Sequence, residues 1–165
     1  MCARSLGPIV TAVWLALSGT QSFAQERWAV FTDARGTRVE YPEDLFSVRT
    51  AEEAEVPGEV FTTGDGRGRL HIFSIDNTQR LSPRAFMQSQ FPAHRSTLTY
   101  DRVARNFFAI STRREGMIVY LRCNFSRAGG SSLHCVDIRY PIGEKRAWDD
   151  TVTRISRSLR PLPSQ

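Results

Sequence analysis

Three histidines are the residues of this 165-residue sequence best suited to act as general bases or zinc ligands: His71, His94 and His134. A hydrolase needs such a base beside a nucleophile and a group that orients the base. His71 and His134 lie inside strand-like runs, and His94 follows a proline in a loop. No serine stands in a Gly-x-Ser-x-Gly elbow, and no His-x-x-x-His spacing for zinc occurs. We therefore predict no catalytic residue, no metal site and no cofactor.

Cys123 and Cys135 flank a polar segment and predict a disulfide. The runs 117–123 and 133–140 are rich in β-branched and aromatic residues, which favours strands, and Gly129-Gly130 between them favours a turn. A hairpin folded about Gly129 places the two cysteines directly opposite each other. The alternatives are two free buried thiols or an incomplete zinc site. An oxidised pair would leave no thiolate nucleophile.

The same hairpin register sorts the side chains between the two faces of the sheet. One face is predicted to lie in the core, and it carries Ile118, Tyr120, Val136, Ile138 and Tyr140. The other face is also partly apolar, as expected for an interior strand pair that is covered on both sides.

Residues 1–24 resemble a secretory signal peptide. Arg4 is their only charge, residues 8–17 are apolar, and Ser22-Phe23-Ala24 supplies small residues for cleavage. Export predicts a periplasmic or secreted protein, in a compartment where disulfides persist. Cys2 would leave with the signal, so the domain 25–165 would keep an even pair of cysteines. No later segment is apolar and long enough for a transmembrane helix.

The formal net charge is +5 at pH 7, and Lys145 is the only lysine. The arginines are scattered singly among acids, with Arg113-Arg114 the only adjacent pair, which indicates a solvated surface. Export also argues against nucleic acid as a partner. An unknown protein or a small anionic ligand is the expected partner. The candidate contacts are the turn arginines, which could present donors to an anion or could be only solubilising charges: Arg67, Arg69, Arg113 and Arg114.

Two further segments could hold ions, and both have simpler explanations. The glycine-rich run 64–68 is flexible enough to cradle a phosphate, but it leads into a strand and lacks the lysine of a P-loop, so a hairpin turn is favoured. Glu52, Glu53 and Glu55 could hold a cation loosely. Without a calcium-loop pattern they are interpreted as solvated acids.

The secondary structure predicted around these residues is mostly β-strand, with two helices. Strands are predicted near 28–31, 37–41, 59–62, 69–75, 99–104 and 107–112, in addition to the hairpin. Ser82-Pro83 predicts a helix start, and Trp148, Val152, Ile155 and Leu159 form the apolar stripe of a second helix over 144–159. This order predicts an α+β fold: a single, monomeric domain with an antiparallel β-sheet and helices packed on its faces.

The order of pieces resembles a known architecture. The resemblance rests on these residues and segments: Tyr41-Pro42 with Leu45-Phe46, the 64–66 turn before Leu70 to Phe73, Thr99-Tyr100, Asn106-Phe107-Phe108, Tyr140-Pro141 and the final helix. They resemble small periplasmic proteins of rhizobia and other alphaproteobacteria, and the architecture looks like the PsbP-type α/β/α sandwich. The resemblance is structural, and the group has no defining catalytic residues that could be carried over. It implies a binding or assembly module.

We therefore expect an exported, non-catalytic binding or assembly module of the bacterial envelope. The alternative is an envelope hydrolase with an unrecognised active site, in which His71 or His134 would lie in a cleft beside a hydroxyl and a carboxylate. A toxin–immunity or effector-type partner protein is a third interpretation.

Overall fold

The computed structural model of the protein describes residues 26–50, 56–90, 98–126 and 130–162. The predicted signal segment lies outside these residues, as do His94 and the acids at 52, 53 and 55. The strands are β1 (Trp28–Thr32), β2 (Thr37–Pro42), β3 (Val48–Thr50), β4 (Gly58–Thr62), β5 (Arg69–Asp76), β6 (Leu98–Val103), β7 (Phe107–Arg114), β8 (Met117–Phe125), β9 (Ser132–Pro141) and β10 (Arg160–Pro161). The helices are α1 (Pro83–Gln90) and α2 (Lys145–Ser158), the latter preceded by a short 3-10 turn, Ile142–Glu144.

Seven of the described strands form one antiparallel sheet in the order β3-β4-β5-β9-β8-β7-β6. The predicted hairpin occupies its interior, with Met117 opposite Pro141 at one end and Phe125 opposite Leu133 at the other. The predicted register is therefore confirmed. Glu115 and Gly116 both have positive φ in the tight β7–β8 turn, a conformation that glycine adopts at low cost.

Apolar side chains cover both faces of this sheet. On the first face α2 buries the predicted stripe of Trp148, Val152, Ile155 and Leu159 against Ile118, Val136, Ile138 and Tyr140. On the second face α1 buries Phe86 and Met87 against strand residues that include Phe108, Phe125 and both cysteines. The Ser82 hydroxyl accepts a hydrogen bond from the Ala85 backbone at 3.3 Å and caps α1 as predicted. The α+β prediction is confirmed.

A separate three-stranded sheet, β1-β2-β10, was not predicted. The alternating pattern of β2 correctly predicted a strand, but alternation cannot say which sheet a strand joins. Val39 of β2 is fully buried in the first-face core, and Ser158 of α2 donates its hydroxyl to the Glu40 carbonyl at 3.3 Å. The small sheet therefore lies beside α2.

No helix in the ranges given above combines the length and the apolar composition that crossing a bilayer requires.

Candidate functional site

The four arginines predicted to contact a partner lie at the same end of the main sheet but do not form one group. Arg69 begins β5, opposite Arg139, whereas Arg113 and Arg114 end β7. Because β9 and β8 lie between these strands, β5 and β7 are about 14 Å apart. Arg114 forms an exposed ion pair with Glu115 at 3.1 Å. Binding of an anion by these residues stays a prediction.

Arg67 lies in a groove of about 500 Å³ between the β4–β5 turn and the start of α2. Its Nε donates to Asp65 at 2.8 Å, and its Nη1 pairs with Glu144. The groove carries four carboxylates and one arginine: Glu26, Asp44, Asp65, Glu144 and Arg67. The Thr63 hydroxyl and Arg67 both donate to Asp65 and hold the pKa of that carboxyl far below its usual range. Arg27 pairs with Asp44 at 2.6 Å, and Arg67 is held between Asp65 and Glu144, so three of the four carboxylates of the groove already pair with an arginine.

Of the two described histidines, His134 is the one with hydroxyls and a carboxylate nearby. Its Nδ1 lies 2.9 Å from the Thr37 hydroxyl, which lies 2.7 Å from the Ser74 hydroxyl. Ser74 in turn donates to Asp33 at 3.4 Å. Burial lowers the pKa of His134 below its ordinary value, so the ring is neutral at pH 7.

This hydroxyl network is closed to solvent. Thr37 is 0% exposed and His134 is 2% exposed, because the β1–β2 turn packs directly on β5 and β9. The Asp33 carboxylate accepts from Ser74, at the opposite end of the network from His134, and it makes no hydrogen bond to the imidazole ring. The arrangement therefore ties the small sheet to the main one, and it lacks the accessible nucleophile that a hydrolase requires.

His71 lies in β5, on the second face of the sheet, and its ring stacks on Phe73 with centroids 4.4 Å apart. It is 4% exposed, and no hydrogen-bond partner lies within reach of its Nε2 among the described residues. Burial lowers its pKa to about 4, with the nearby Arg69 charge acting in the same direction. Among the described residues no hydroxyl group is hydrogen-bonded to His71, so no candidate nucleophile is paired with it there.

Within the described ranges, no three of the His, Cys, Asp and Glu side chains are grouped closely enough to hold a metal ion. Cys123 and Cys135 form the predicted disulfide, with their Cα atoms 4.1 Å apart, in the second-face core.

A surface that sequence reasoning missed lies on the first face, where β8, β7 and the edge strand β6 are neighbours. Tyr100, Ser111 and Tyr120 form one row across these strands, and Arg102, Ala109 and Arg122 form the next. We call the five large side chains there the arginine face: Tyr100, Arg102, Phe107, Tyr120 and Arg122.

The guanidinium groups of the arginine face converge on one ring. The Cζ of Arg122 lies 4.1 Å from the Phe107 centroid and that of Arg102 lies 5.6 Å from it. Ala109 beneath them is 1% exposed, whereas Tyr100 is 45% exposed. A repeated Tyr-x-Arg, at 100–102 and 120–122, is the sequence signal that could have identified this surface.

No protein-family model matches this chain, and no curated protein matches it. Among solved structures, the chain is similar to cyanobacterial PsbP (CyanoP) from Synechocystis sp. PCC 6803, with a TM-score of 0.60 at 12% identity, over 88% of this chain and 99% of that one. It is also similar to LpqN of Mycobacterium tuberculosis, described as involved in cell envelope biogenesis, with a TM-score of 0.47 at 13% identity, over 83% and 91%. These comparisons give no support to a rhizobial or alphaproteobacterial relationship. The similarity to CyanoP establishes that the chain has a PsbP-like fold.

Proposed function

We propose that the protein is an exported, non-catalytic binding or assembly module of the bacterial envelope. The signal-like segment 1–24 supports export. The disulfide between Cys123 and Cys135 supports it independently, because such bonds persist in oxidising compartments. The expected partner is a protein or a small anionic ligand.

The closure of the His134 network is the observation that carries the non-catalytic part of this proposal. A hydrolytic nucleophile must reach its substrate, and its base must be free to take the proton. The Thr37 hydroxyl is fully buried and is already engaged with both His134 and Ser74. A substrate would have to separate the two sheets to reach it. We therefore assign the binding of a partner to the exposed faces of the protein.

Labelling with a fluorophosphonate, which modifies activated serines, tests the proposal against its alternative. We expect no adduct on residues 25–165 by intact-mass analysis. An adduct that maps to Ser74 or Thr37 and disappears in the Ser74→Ala or Thr37→Val variant would establish the hydrolase instead. Ser89→Ala is the matched control, since the Ser89 hydroxyl donates only to a carbonyl of its own helix.

Fractionation tests the export part separately. An epitope-tagged full chain, expressed in a Gram-negative host, is expected in the osmotic-shock fraction with its signal removed. A full-length protein that stays in the cytoplasm with two free thiols at Cys123 and Cys135 contradicts this part of the proposal.

A further inference from the structure

The arginine face brings two positive charges together without a negative one. In the described part of the chain, no carboxylate lies within ion-pair distance of Arg102 or Arg122. Two other arginines differ in this respect. Arg67 in the groove pairs with Glu144, and Arg154 of α2 lies 3.9 Å from Glu40 of the small sheet.

The lack of a counter-charge matters most for Arg122, which is half-buried. Burial lowers the pKa of Arg122 below its ordinary value, and the like charge of Arg102 adds to this effect. A guanidinium stays charged even so. Its polar and ring contacts stabilise this charge in part, but no carboxylate of the described residues neutralises it, so a bound anion would supply the missing opposite charge.

The Arg122 side chain is also held in place before any ligand arrives. Its Nε donates to the Asn124 carbonyl oxygen at 2.9 Å, and its Nη1 donates to the Ser156 hydroxyl at 3.3 Å. The Phe107 ring supports its flat side at 4.1 Å. Such fixing lowers the entropy lost on binding, since fewer side-chain rotations must be frozen.

We propose that the arginine face binds a phosphate group, with Arg102 and Arg122 as its charged donors and Tyr100 as an exposed hydroxyl beside them. One carboxylate offsets only one of the two positive charges, whereas a phosphate carries nearly two negative charges and has more acceptor oxygens. The phosphate can belong to a free phosphoester or to a lipid headgroup. This inference rests on the proposed function, because it names the ligand of the binding module.

Titration of the folded, oxidised protein with inorganic phosphate and with glycerol 3-phosphate, at constant ionic strength, tests the inference by NMR. We expect saturable shifts of the Arg102 and Arg122 side-chain Nε–H signals and of the amides along β6, β7 and β8. Arg102→Ala is the first variant because its side chain is exposed. It should bind roughly tenfold more weakly, as expected for one charge-assisted contact.

Arg122→Gln should weaken binding at least as much, and its melting temperature shows whether the variant is folded. Arg84→Ala is the matched control, because Arg84 is exposed on α1, which packs on the opposite face of the sheet. The absence of saturable shifts with both soluble phosphates, together with no binding to phosphatidic acid vesicles, overturns the inference. Equal weakening in the Arg84 variant overturns it as well, because binding would then follow net charge and not the site.

Vesicles separate the two sources of phosphate. Binding to phosphatidic acid vesicles but not to glycerol 3-phosphate identifies a lipid headgroup, and binding to both identifies the phosphoester itself. Phosphatidylcholine vesicles are the control. If phosphate does not bind and no fluorophosphonate adduct forms, only the phosphate site is lost. An adduct on Ser74 or Thr37 removes the non-catalytic proposal whatever the phosphate result.

Discussion

Cys123 and Cys135 are direct register partners on β8 and β9, and both are fully buried. Their disulfide closes a loop of 12 residues in sequence separation, which limits the unfolded chain more than the folded one. Both sulfur atoms also lie in the second-face core under α1, so reagents can reach them only after local opening.

Replacement of both cysteines by serine should therefore destabilise residues 25–165 by about 3 kcal/mol, the value expected for a short disulfide loop. Urea denaturation of the oxidised protein and of the double variant measures the difference. Alkylation of the native, unreduced domain should add no mass. Two modified thiols in that sample would show that the bond does not form.

Gly68→Ala should cost about 1–3 kcal/mol, because a side chain there overfills a packed site. Its Cβ would lie 2.5 Å from the Trp148 ring and 2.6 Å from the Thr63 methyl group. Trp148 cannot retreat easily, since it stacks on Tyr140 with centroids 5.1 Å apart. Chemical denaturation gives the loss, and near-UV circular dichroism reports the tryptophan. Gly64→Ala, whose Cβ would meet only Ser47 at 3.8 Å, is the control and should be close to neutral.

Asn77→Asp should destabilise the protein by about 2 kcal/mol. The Asn77 amide donates to the Leu81 carbonyl at 3.0 Å and to the Gly130 carbonyl at 2.9 Å, while its oxygen accepts from the Leu81 backbone. Aspartate keeps the acceptor but turns a charged oxygen toward two carbonyl oxygens at a buried position. The melting temperature checks this expectation. Asn106→Asp, at an exposed position, should leave it unchanged, and an equal drop there would refute the explanation.

Stability should fall as the solution is acidified from pH 6.5 to pH 4. The pKa of His71 is about 4 in the folded protein, below its ordinary value of 6.5, so the unfolded chain binds the proton more tightly. The stability that depends on neutral His71 is therefore complete above pH 6.5 and is lost as pH falls through 4. The full effect is on the order of 3 kcal/mol.

Urea midpoints measured between pH 4 and pH 8 test this pH dependence. His71→Gln removes the titrating ring and should flatten the curve. Part of the dependence of the urea midpoint on pH will remain, because burial also lowers the pKa of His134. A His71→Gln curve with an unchanged slope would show that other groups cause the acid sensitivity.

The residues of the hairpin and of α2 could be predicted because their patterns are local. Trp148, Val152, Ile155 and Leu159 recur at helical spacing, and all four are buried in one core. Cys123 and Cys135 are joined by a short loop, so one turn position sets their register. In contrast, the three-residue β3 and two-residue β10 exist only because neighbouring strands pair with them, and they carry no pattern of their own.

The α+β class, the disulfide, the helix stripe and the covered hairpin could be predicted from the sequence, since each depends on residue spacing within one or two adjacent elements. The contact of Thr37 with His134, 97 residues away, and the placement of the two Tyr-x-Arg segments on either side of β7 could be read only from the folded chain. Long-range pairing sets which strands become neighbours, and spacing along the chain does not encode it. The arginine face exists for this reason: β6 and β8 each pair with β7 in registers that align Arg102 with Arg122.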